Sequence, residues 1–159
     1  MRPVEAWAVF SKDRVYRYAL GRTWAWGGDP TYVAFIGLNP STADENIDDP
    51  TVRRCIGFAQ LWGYGGLVVL NLFAYRSTDP AQLFMVDDPI GCENDHYIKE
   101  YAAQSEIVVA AWGNMGKHLN RDMEIRTLLP NLYHLGLTKI GCPRHPLYLP
   151  KTIKPEVWR

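Results

Sequence analysis

This chain is short of several things that would have narrowed its function at once. It has no apolar run near the roughly 20 residues that span a bilayer. Lys plus Arg is 17 and Asp plus Glu is 17, so there is no charge excess to mark a general polyanion binder. Cysteines are few and far apart. Cys55, Cys92 and Cys142 read as reduced thiols, not as a disulfide framework. Cys142-x-x-His145 is half a zinc site with no second pair at suitable spacing. There is no Gly-rich phosphate loop with Lys, and Ser41 lacks a Gly-x-Ser-x-Gly elbow. Asp48-Asp49 and Asp87-Asp88 are each followed by Pro, which favours helix-capping turns over a cation site. Neither a metal nor a cofactor is expected. The N-terminus lacks a signal-peptide pattern, which implies a cytosolic chain with no membrane partner.

What is present is an alternation. Ala8–Phe10 and Arg14–Leu20 flank a polar break and suggest a hairpin. Gly27-Gly28-Asp29-Pro30 reads as a turn. Four apolar runs then read as buried strands: Tyr32–Ile36, Leu67–Leu70, Glu106–Trp112 and Leu132–Leu137. Between them lie helical patterns over Thr51–Trp62, Asn94–Gln104 and Lys117–Leu129. Ser41 and Asp44 suggest a further helix start, and Thr78-Asp79-Pro80 opens a short helix. Strands that are apolar throughout and alternate with helices imply a parallel sheet covered on both faces. The expected fold is one three-layer α/β/α domain over residues 1–159, with a four-stranded parallel core sheet and an N-terminal β-hairpin on its edge.

Three segments follow such strands: Gly37-Leu38-Asn39-Pro40-Ser41, Asn71, and Pro143-Arg144-His145-Pro146-Leu147. Open α/β sheets bind ligands beyond the carboxyl ends of their strands. Two amides and an imidazole would converge there. That set suits reading a planar heterocycle and positioning a water. Each residue also has a plain structural alternative. Asn39 would be a loop residue, Asn71 a backbone partner at a strand end, and His145 a packed loop histidine. Arg14, Arg17 and Arg22 interleave with Tyr16, Tyr18, Trp24 and Trp26, which is either a strand face over a core or a surface for phosphate or bases.

Across residues 7 to 149 the chain resembles the bacterial and phage family called domain of unknown function 1643. The resemblance rests on Tyr16-Arg17-Tyr18, Gly37 to Asp44, Asp49 to Arg54, Asn71 to Arg76, Ala111-Trp112-Gly113 and Pro143 to Tyr148. The order of motifs is also similar to the uracil-DNA glycosylase superfamily. Mismatch-type members carry Gly-x-Asn-Pro after the first core strand, as Gly37, Asn39 and Pro40 do here. Asn71, Trp112-Gly113 and His145-Pro146 follow in the same order.

That second resemblance implies a sheet order of 2-1-3-4 and a set of roles. Asn39 would hold the attacking water, Asn71 would read the base edge, and His145 would donate to the base oxygen. Phe73 or Tyr75 would stack on the base. Arg53, Arg54, Arg76 and Arg144, beside the motifs, would meet phosphate. The water-activating Asp of the most active members is absent, and Leu147-Tyr148-Leu149 replaces the Ser-Pro-Leu-Ser wedge. The implied activity is hydrolysis of an N-glycosidic bond, releasing a base, modified or not, from DNA or a nucleotide. Single-stranded DNA is among the substrates this reading leaves open. The alternative is a non-catalytic module that binds a nucleobase, a nucleotide or single-stranded nucleic acid.

Overall fold

The structure, a computed structural model, describes residues 3–24 and 31–159. The turn expected at Gly27-Gly28-Asp29-Pro30, and Trp26 beside it, lie outside the described residues.

One seven-stranded sheet organises the chain. Its strands are β1 (Glu5–Phe10), β2 (Arg17–Thr23), β3 (Tyr32–Gly37), β4 (Gly66–Asn71), β5 (Ile107–Ala110), β6 (Tyr133–His134) and β7 (Glu156–Val157). Their order is β1-β2-β4-β3-β5-β6-β7. Strand β3 is central and runs parallel to β4 and β5, and β5 runs parallel to β6. The flanking pairs are antiparallel.

Alternation along β3 explains the layering. Val33 and Phe35 point to one face, Ala34 and Ile36 to the other. Helix α1 (Pro50–Leu61) covers the first face with Val52, Cys55, Phe58 and Ala59. Helices α2 (Asn94–Gln104) and α3 (Arg121–Leu128) cover the second with Ile98, Ala102 and Ile125. Among the described residues no helix is long and apolar enough to cross a membrane.

Several boundaries differ from the sequence reading, each for a local reason. The sheet has seven strands because the hairpin joins it through β2 and the C-terminal segment adds β7. The run Leu132–Leu137 yields only two strand residues. Gly136 turns at φ +104°, and its N–H donates to His134 Nδ1 at 2.9 Å. Ser41–Asp44 forms no helix. Asp44 Oδ1 accepts instead from the N–H groups of Asn46 and Ile47, at 2.8 Å each, and closes a turn. The helix expected from Lys117 begins at Arg121, because Leu119 and Asn120 adopt φ of +57° and +54°. A 3₁₀ segment, Asn114–Asn120, precedes it. Asp79 caps a second one, Pro80–Phe84, where the short helix was expected.

Candidate functional site

The carboxyl ends of the parallel strands gather three distant segments. Gly37 and Asn71 are register partners where β3 and β4 end. The chain beyond β3 stays tied to the chain beyond β4, with Leu72 N–H donating to Gly37 O and Phe73 N–H to Leu38 O. The third segment is held to the end of β5 by Gly113 N–H, which donates to Pro143 O at 2.8 Å. These ties bring Asn39, Asn71 and His145 into the lining of one cavity of about 160 Å³. An apolar cavity of roughly 150 Å³ holds a benzene ring. The space here therefore fits a single six-membered ring.

Each of the three side chains has a defined disposition. Asn39 Nδ2 donates to Pro40 O at 3.1 Å and to Ser77 O at 2.9 Å. Those two bonds assign the amide orientation and leave Oδ1 as a vacant acceptor among the described residues. Asn71 is 4% exposed and its Nδ2 is buried without a partner. Buried donors are nearly always satisfied, so this donor is open to a water or to an acceptor on a ligand. His145 Nδ1 accepts from Leu147 N–H at 3.2 Å. The neutral ring therefore carries its proton on Nε2. Partial burial holds the imidazole below its ordinary pKa of 6.5, against an opposing pull from Asp49. A neutral Nε2–H donor is the resulting state near pH 7.

The lining contains residues that the sequence did not single out as site residues. Phe35 supplies an apolar aromatic wall. Asp49 caps α1, accepting from Val52 N–H at 2.8 Å, and also faces the cavity. Cys55 is fully buried in the same wall, and desolvation pushes its thiol far up, so it stays protonated. Arg17 reaches the cavity from the start of β2, where burial pulls its guanidinium down to about 10 and Asp49 opposes the shift. Asp49-Pro50 gave a hint as a cap motif, and Arg17 as part of the basic and aromatic segment Arg14–Trp26. That segment reads equally well as a solvated face.

Other expected site residues fall elsewhere. Phe73 is fully buried and packs against His118 with ring centroids 5.6 Å apart. It does not line the cavity. Leu72 and Phe73 both pack on the face of the sheet that α2 and α3 cover. Tyr75 lies in an adjoining groove with Arg14, Arg76, Ser41 and Ser77. Arg76 stacks over Phe10 at 4.8 Å, as does Arg14 at 3.8 Å, which fixes both guanidinium groups at the groove. Arg53 and Arg54 line a different groove on the outer side of α1, together with Lys151. Arg144 is exposed and lies outside the cavity lining; its stem packs over Gly136. Among the described residues no group of three or more His, Cys, Asp or Glu is placed to hold a metal ion.

The sequence pattern of one protein family, described as Protein of unknown function (DUF1643), matches residues 17–147. The chain belongs to this family. The matched span contains every residue of the cavity lining, from Arg17 through Pro146. No curated protein and no solved structure matches the chain.

Proposed function

We propose that this protein hydrolyses an N-glycosidic bond and releases a single-ring base from a nucleic acid or nucleotide. The observation that carries the reading is the shared cavity of Asn39, Asn71 and His145. Further support comes from the parallel strands, whose order β4-β3-β5-β6 is 2-1-3-4 when they are numbered among themselves. That is the order that the resemblance to uracil-DNA glycosylases implies.

The chemistry assigns one task to each group. Asn39 Oδ1 accepts a hydrogen bond from the attacking water and so aims the water's lone pair at the sugar carbon. Asn71 presents Nδ2–H to an acceptor on the base edge. His145 Nε2–H donates to the base oxygen as the C–N bond breaks and the electron pair moves onto the ring. Donors preorganised at developing charge are the largest source of such acceleration. Asp49, with one oxygen free of donors among the described residues, is the carboxylate available to take the water's proton.

A binding module using the same cavity is the second reading. The buried, unpartnered Asn71 Nδ2 supports base recognition in both cases, whereas the vacant acceptor on Asn39 favours hydrolysis. Incubation with single- and double-stranded oligonucleotides bearing modified pyrimidines, scored for abasic sites, distinguishes them. Strand scission after alkaline treatment on any substrate supports hydrolysis; binding without abasic sites supports the module.

A further inference from the structure

Among the described residues three arginines are almost completely buried: Arg17, Arg22 and Arg121, at 2%, 1% and 1% exposure. Two are satisfied at every nitrogen. Arg22 donates through Nε to Asp48 and through its two Nη atoms to Gly21 O and Asp44 O. Arg121 donates to Leu72 O, Glu124 and Asp95. Each therefore has a carboxylate partner and a structural task, pinning a loop or a strand end.

Arg17 is different. Its one hydrogen bond runs from Nη1 to Ala43 O at 3.0 Å. Nε is buried without a partner, and Nη2 donates to nothing among the described residues. No carboxylate pairs with it there. Asp49 lines the same cavity and influences it through space, yet makes no ion pair with it. Buried charges are normally paired and hydrogen-bonded, because desolvation without compensation is costly. Arg17 is thus a buried cation missing its counterion, and it faces the cavity that also holds Asn71 and His145.

We infer that the ligand of this cavity carries an anionic oxygen group that lies against Arg17. The ring edge meets Asn71 and His145, and the anionic group completes the guanidinium's bonding. The inference rests on the base-binding reading of the cavity and adds the charge of what binds there. A carboxylate on the ring and a phosphate oxygen share this chemistry. The cavity volume of about 160 Å³ favours a ring with one small substituent over a ring with a separate phosphate.

The test measures affinities of the full chain by calorimetry for uracil, its C5 and C6 carboxylates, and inorganic phosphate. At least one ring carboxylate should bind roughly tenfold or more tightly than uracil, the worth of a charge-assisted hydrogen bond. Arg17→Met should abolish that preference, and Arg17→Lys should keep part of it. If Arg17→Met does not fold, the wild-type comparison and the Lys variant still decide. Phosphate binding that Arg17→Met abolishes, with no carboxylate preference, supports the anion site and names phosphate as its source. Equal affinity for uracil and both carboxylates, without phosphate binding, overturns the anion inference alone. Binding of none of the four compounds overturns it together with the base-binding reading.

Discussion

Gly37 and Asn71 share one rung of the sheet, and the missing side chain of the first makes room for the second. A Cβ at position 37 would stand 3.0 Å from Asn71 Oδ1. This glycine is needed for space and not for an unusual backbone angle. Gly37→Ala should cost about 1–3 kcal/mol, as overpacking does, and should displace the Asn71 amide. The cost should shrink when Asn71→Ala is already present, because the two changes share one contact. Chemical denaturation of the two single variants and the double variant measures this coupling. Additive costs would mean that the two side-chain positions do not compete.

Under the proposed function, Asn71 reads the base edge. Asn71→Asp replaces a donor-acceptor pair with acceptors alone while keeping the shape. Binding to a base that offers a carbonyl toward Asn71 Nδ2 should weaken roughly tenfold or more, and a base that offers an amino group there should gain ground. Competition between uracil and cytosine for the cavity reads out the change. An unaltered ratio would remove Asn71 from base reading.

Much of this site was legible because strands announce their own ends. Asn39, Asn71 and His145 each follow an apolar run, and three apolar runs in a parallel sheet put their carboxyl ends together. Pro40 and Pro146 reinforced that reading by disfavouring helix at the residues before them, Asn39 and His145. Arg17 was legible only as one of two alternatives, and Asp49 was not legible as a site residue. Arg17 lies on a strand whose polar residues suggested a solvated face, yet that strand is buried along its whole length because β1 and β4 flank it. The cap role of Asp49 was readable, but its closeness to His145 depends on where the 41–49 loop goes, and no local pattern encodes that. Phe73 misled for the opposite reason, since proximity to Asn71 in sequence says nothing about which side of the sheet the next ring faces.

The protonation of His145 is open to direct measurement. Burial lowers its pKa, and Asp49 raises it. Asp49→Asn keeps a good helix cap and deletes the charge, so the His145 pKa should fall further. Heteronuclear NMR of the imidazole signals follows it. With a folded-state value below the unfolded 6.5, the unfolded chain binds more protons between the two values. This group's contribution is then complete above pH 6.5 and is lost as pH falls toward the folded-state pKa. His145→Gln should flatten that part of the stability profile. A His145 pKa that rises or stays fixed in the Asp49 variant would contradict the proposed closeness of the two groups.

Phosphate contact, if the substrate is a polymer, should run through the groove that adjoins the cavity. Arg76 and Arg14 are fixed there against Phe10, whereas Arg144 lies outside the lining. Affinity for a single-stranded oligonucleotide should fall as salt rises, and Arg76→Ala should reduce the slope by about one. Arg144→Ala should change it less. Equal slopes for wild type and Arg76→Ala would place the backbone elsewhere, with the groove of Arg53, Arg54 and Lys151 as the next candidate.

The central claim is that Asn39 and His145 act on a bond that breaks in this cavity. Single-turnover base release, measured on whichever substrate yields abasic sites, tests it most directly. The account predicts that Asn39→Ala and His145→Ala each slow the chemical step roughly 100- to 1000-fold while binding changes little, because both act on charge that develops only in the transition state. Base release at the wild-type rate in both variants would contradict it.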